Sequence, residues 1–133
     1  MEQETPRKPA ADGISIIPTT SDTFLRAWLE VMRPLHGLAP SEMDFAAVLL
    51  AKREEIAKDV RDPGMIDKIL FEGETRKQLM ELAGVKKAHM DTILHKLRKS
   101  GVIEGRRVNP TFIPAWTRGK PFRMVFIFKN DDT

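Results

Sequence analysis

Cysteine is absent from this 133-residue chain, which removes disulfides, thiolate metal sites and thiol nucleophiles together. Long apolar runs are absent as well. The longest, Phe45 to Ala51 and Val125 to Phe128, fall far short of the ~20 residues that a membrane-spanning helix needs. The opening Met1-Glu2-Gln3-Glu4-Thr5-Pro6-Arg7-Lys8-Pro9 lacks the apolar core of a secretory signal. The expected location is therefore a bacterial cytoplasm or nucleoid, with no membrane partner. No phosphate-cradling glycine loop, nucleophile elbow or metal-binding helix occurs. Glu54, Glu55 and Asp59 form no recognisable acid–base pair, His89 and His95 are six apart on different helical faces, and His36 is remote. No enzyme, cofactor or metal is expected.

What is present is an apolar fraction of 41%, ordinary for a chain with a packed core. The net charge is +3, but it is unevenly spread. Residues 1–83 hold 11 Lys and Arg against 15 Asp and Glu, a balance of −4. Residues 84–129 hold 11 basic residues against only Asp91 and Glu104, a balance of +9. Such a split between halves points to a surface that meets a polyanion. The plainer reading is a solvated basic face.

Along the chain, residues 1–20 read as a flexible arm with three prolines and mixed charge. Ile14, Ile16 and Ile17 are the exception, suited to a short strand or to docking on the body. Ser21 or Asp22 is expected to cap a helix over 21–37 that presents Phe24, Leu25, Trp28, Leu29, Met32 and Leu35 on one face. Pro34 and Gly37 are expected to end it. A second helix follows Pro40, with Met43, Ala46, Ala47, Leu50 and Ile56 in helical register, until Asp62-Pro63-Gly64 breaks the chain. A short apolar turn follows with Met65, Ile66, Ile69, Leu70 and Phe71.

From Glu74 the pattern becomes specific. Thr75 to Ala83 reads as a helix closed by Gly84 in a left-handed conformation, with Val85 plugging the turn. Lys86 to Lys99 reads as a second helix with Met90, Ile93, Leu94 and Leu97 inward. Beyond Ser100-Gly101 the period changes. Arg106 to Ile113 is expected as a strand kinked at Asn109-Pro110, and Phe122 to Phe128 as a stronger one. The intervening Pro114 to Pro121, with Trp116, Arg118, Gly119 and Lys120, is expected to be a hairpin with a basic tip.

The run Arg76-Lys77-Gln78-Leu79-Met80-Glu81-Leu82-Ala83-Gly84-Val85, followed by Met90, Ile93, Leu97 and Gly101-Val102-Ile103, resembles a winged helix-turn-helix domain. Val108-Asn109-Pro110-Thr111-Phe112-Ile113 is similar to the wing of some plasmid replication initiators. The resemblance covers roughly residues 42 to 128. It implies an α+β, mainly α fold: a winged helix-turn-helix over 38–129, an extra N-terminal helix over 21–37, a C-terminal β-hairpin wing, and an acidic tail over 130–133. It also implies that Lys86 to Lys99 is a recognition helix laid in the major groove of double-stranded DNA. Lys87, Ala88, Asp91, Thr92 and His95 would face bases. Lys86, Lys96, Arg98, Lys99, Arg106 and Arg107, with Arg118 and Lys120 at the wing tip, would contact phosphates. Three positions depart from the family's pattern. Lys86 replaces a Ser or Thr cap, Met80 replaces a small residue, and Asp91 places an acid on the groove face.

These features lead to a DNA-binding regulator or replication-associated factor of a bacterium, plasmid or phage. The alternative is a non-catalytic interaction or assembly module built on the same fold, including a phage structural or accessory protein. The basic wing either binds phosphate or keeps an apolar hairpin soluble. Trp116 either stacks on a base or, as loop tryptophans more often do, folds back on its own domain; Trp28 reads as core or interface. The broad Phe24–Leu35 face either completes the core beside the Met43 helix or, as its breadth favours, makes a homodimer.

Overall fold

In the computed structural model, which describes residues 15–129, the chain is α+β and mainly helical. Six helices precede one small antiparallel hairpin among the described residues: α1 (Phe24–Val31), α2 (Arg33–His36), α3 (Pro40–Ala57), α4 (Pro63–Leu70), α5 (Gly73–Ala83), α6 (Lys87–Ser100), then β1 (Ile103–Glu104) and β2 (Arg107–Val108). The order α5–turn–α6–hairpin is compatible with a winged helix.

Local chemistry sets most of the helix ends. Asp62 caps α4 by accepting from the Met65 N–H at 3.0 Å, and Pro63 occupies the first turn, where no N–H is needed. At α3, the Glu42 carboxylate reaches back to the Ala39 N–H at 2.9 Å. Between α5 and α6, Gly84 takes φ +67°, as expected, and the Val85 N–H donates to the Met80 carbonyl at 3.1 Å. That six-to-one bond closes α5 as a Schellman turn and reverses the chain tightly into α6. The α1 end differs from the expected one. Thr23, rather than Ser21 or Asp22, stands at the start and makes no side-chain cap bond. Pro34 lies in the first turn of α2 instead of ending a helix, while Gly37 does end it in the left-handed region.

α3 is the centre of the packing. It buries Met43, Phe45, Ala46, Leu49 and Leu50 and touches α1, α4, α5 and α6. The buried side chains form one cluster that runs from Phe24 to Phe112. α1 contributes Phe24, Leu25, Trp28 and Leu29, with Met32 just beyond it. The face expected to dimerise is thus consumed inside the protein, because α1 lies along α3 and closes its core. Only Val31 and Leu35 of this segment remain exposed as large apolar groups. His36 is buried in the same region: it takes the Leu38 N–H on Nδ1 at 2.9 Å, so its Nε2–H donates to the Leu29 carbonyl at 2.8 Å.

The C-terminal third departs most from the expected strands. Arg106 to Ile113 contains only the two residues of β2, paired Ile103↔Val108 and Glu104↔Arg107 across a two-residue turn in which Gly105 has φ +67°. Pro110–Phe112 is a 3₁₀ turn. Asn109 makes it so, since its Oδ1 accepts from Thr111 N–H at 3.0 Å and its Nδ2 donates to the Gly101 carbonyl at 2.9 Å. Pro114 to Pro121 is not a hairpin. It folds back so that Trp116 lies 4.4 Å, centroid to centroid, from Phe24 and its indole N–H donates to Glu54. Phe122 to Phe128 is not a strand, because no described segment pairs with its backbone. Ile16 and Ile17 are also exposed. Ile14, most of the arm and the acidic tail lie outside the described residues.

Candidate nucleic-acid interface

α6 buries Met90, Ile93, Leu94 and Leu97, and that sets which residues point outward. At about 100° per residue, the line opposite this buried face runs through Ala88, Thr92, His95 and Lys99, all exposed. The outermost stripe is therefore short and nearly uncharged, with a cation at its C-terminal end. The Thr92 hydroxyl donates back to the Ala88 carbonyl at 3.1 Å, which leaves its oxygen lone pairs outward. Lys87, Asp91 and Arg98 lie along one flank of the stripe and Lys96 along the other.

Asp91 is held on that flank. Its carboxylate accepts from Arg76 Nη2 on α5 at 2.9 Å and from Lys87 Nζ at 3.1 Å. The Lys87 ammonium, and then the Arg76 guanidinium, hold its carboxyl below the usual aspartate range. Of the five residues expected to face bases, Ala88, Thr92 and His95 are outermost, while Lys87 and Asp91 pair with each other beside α5. Arg76 was not singled out from the sequence. It is 15 positions from Asp91 and across a turn, so only the docking of α5 on α6 joins them.

The hairpin turn and the end of α6 come together through Arg98, whose Nε–H donates to the Gly105 carbonyl at 3.3 Å. This contact draws Arg98 to the turn that carries Arg106. Arg107 pairs with Glu104 at 2.8 Å. Among the described residues no ion pair engages Lys86, Lys96, Arg98, Lys99 or Arg106. Lys86 begins α6 without any side-chain cap, so the first-turn N–H groups keep no side-chain partner. The hairpin itself is pinned from behind. Buried Asp67 on α4 accepts from Arg53 Nε of α3 at 2.9 Å and from the Val108 N–H of β2 at 3.4 Å.

Arg118 and Lys120 are not at the hairpin tip. The expected long wing is absent, and they sit in a turn closed by Lys120 N–H to the Thr117 carbonyl. The Arg118 guanidinium lies 5.2 Å from the Trp116 ring centroid and 4.0 Å from Glu54, and donates to the Ser21 carbonyl at 3.5 Å. These neighbours belong to α3 and to the segments at residues 21 and 116, and none to α6 or the hairpin. No group of three metal-ligating side chains occurs among the described residues, and no helix there is long and apolar enough to cross a membrane. Compared with protein-family models, with curated proteins and with solved structures, the chain matches none.

Proposed function

We propose that the chain is a winged-helix DNA-binding protein that lays α6 in the major groove and rests the β1–β2 turn on the flanking backbone. The observation that carries this reading is the arrangement of α6. A narrow stripe of Ala88, Thr92 and His95 has cations on both sides and at its end, and Arg98 ties it to the turn at Gly105. A groove has base edges at its floor and phosphates on both walls, so small side chains in the middle and cations at the margins suit it. Lys96, Arg98, Lys99 and Arg106 supply the phosphate contacts, which set affinity and register. With only Thr92 and His95 as outermost polar side chains, sequence preference is modest. A role in transcription regulation or replication follows from such binding.

Fluorescence anisotropy of a labelled random duplex, titrated with salt, tests this. Binding is expected at low salt, with log affinity falling linearly in log salt by about 0.9 per phosphate neutralised. Absence of binding at low salt would exclude the reading. One observation favours a second one, a non-catalytic protein-interaction module: Arg76, Asp91 and Lys87 satisfy one another without nucleic acid. Failure of the duplex titration would direct attention to a protein partner for that face.

A further inference from the structure

Asp91 is the only acid that α6 carries. It lies at the edge of the outward stripe, about 40° round the helix from His95 and about 60° from Ala88. Exposed ion pairs add little to stability, so the fold gains little by keeping an acid beside a face that meets a polyanion. What the arrangement supplies is a carboxylate of fixed direction. Arg76 Nη2 donates to Oδ1 at 2.9 Å and Lys87 Nζ to Oδ2 at 3.1 Å. An ionised carboxylate offers about four lone-pair positions, and these two bonds take one on each oxygen. The two partners differ. The Arg76 side chain is 28% exposed and comes from α5 across the turn, whereas the Lys87 side chain is 76% exposed and sits one turn earlier on α6 itself. Lys87 is therefore free to swing to a phosphate on the groove wall while Arg76 keeps hold of Oδ1. Two cations and one anion leave the trio net positive, so DNA does not repel it as a whole.

Resting on the DNA-binding reading above, we infer that Asp91 reads a base, its Oδ2 accepting the N4 amino group of a cytosine, and that Arg76 is its positioning residue. The chemistry singles out this base. In the major groove guanine presents two acceptors, thymine one, and adenine an acceptor beside its amino donor; cytosine presents its amino group alone. An acceptor-only side chain thus meets a lone pair on each of the first three and only a donor on cytosine. One such contact among many to phosphate accords with a modest sequence preference.

Selection of bound duplexes from a randomised library with the full chain, read by sequencing, tests it. The natural chain should enrich cytosine at one position by at least ~5-fold over each other base, the lower end for a good base contact. Asp91→Ala should erase the preference at that position alone. Asp91→Asn should move it to adenine, whose N6 and N7 suit an amide. Arg76→Ala should blunt it, whereas Lys77→Ala, which removes the same charge from the next, exposed position of α5, should keep it. Duplex binding without a cytosine preference, a preference indifferent to Asp91→Ala, or equal effects of Arg76→Ala and Lys77→Ala would overturn the inference and leave the DNA reading standing. Failure to bind any duplex would overturn both.

Discussion

The indole N–H of Trp28 donates to the Phe112 carbonyl at 2.9 Å, joining residues 84 positions apart inside the core. This bond fastens the segment that follows the hairpin onto α1. Trp28→Phe keeps an aromatic ring but leaves that buried carbonyl without its donor, which costs about 1–3 kcal/mol. Urea unfolding should show the midpoint fall at an unchanged slope.

His36 bonds at both ring nitrogens inside the protein, and its ring lies 5.8 Å from Phe112. His36→Ala strips partners from the Leu38 N–H and the Leu29 carbonyl at once. Each buried orphan costs about 1–3 kcal/mol, so thermal unfolding should be lowered by several degrees.

Asp67 and Arg53 are a buried pair, with side chains 8% and 13% exposed. Asp67→Ala leaves the guanidinium uncompensated and removes the acceptor for Val108 N–H; a loss of about 3–5 kcal/mol is expected. The double variant Arg53→Met/Asp67→Ala should recover part of it in chemical unfolding. A double variant no better than the single one would show that the Val108 contact dominates.

Asp91 titrates below the usual aspartate range through Lys87 and Arg76. A depressed folded pKa means that the pairing stabilises the fold above the unfolded value of about 4 and is lost as pH falls through the lower, folded value. Carboxyl NMR should find the Asp91 midpoint below that of an ordinary aspartate. Lys87→Ala should raise it, and Arg76→Ala should raise it too.

The α6 cations and the Arg118 corner separate in the anisotropy assay. Lys99→Ala, Arg98→Ala and Arg106→Ala should each weaken duplex binding across all sequences and reduce the salt slope by about 1. Arg118→Ala should leave both unchanged, since its neighbours are Ser21, Glu54 and Trp116. Equal losses at Arg118 and Arg98 would contradict the proposed interface.

The sequence by itself determined most of the helices and the α5–α6 turn. Residues 65–71, expected as a short apolar turn, instead belong largely to helix α4, and the expected 21–37 helix is the pair α1 and α2. Helical bonds run between residues four apart, so periodicity, Asp62 with Pro63, and Gly84 carry that information locally. The buried face of α6, and with it the exposure of Ala88, Thr92, His95 and Lys99, was legible for the same reason. Tertiary structure decided the rest. An alternating apolar run becomes a strand only when another segment supplies its hydrogen bonds, and Phe122 to Phe128 finds none among the described residues. Where a strand was expected, Asn109 caps a 3₁₀ turn through the Thr111 N–H, and its amide is held in place by the Gly101 carbonyl eight residues away. Trp116 and Arg118 went to α1 and α3 because Phe24 and Glu54 offered a ring and a carboxylate there. The Phe24–Met32 face could serve a dimer or a core on periodicity alone, and the packing of α1 along α3 assigned it to the core. Asp91 read as an acid in a groove until Arg76, brought in by the fold, made it half of a bridge between helices. Burial and ion pairing depend on which surfaces meet, and no local pattern in the chain specifies that.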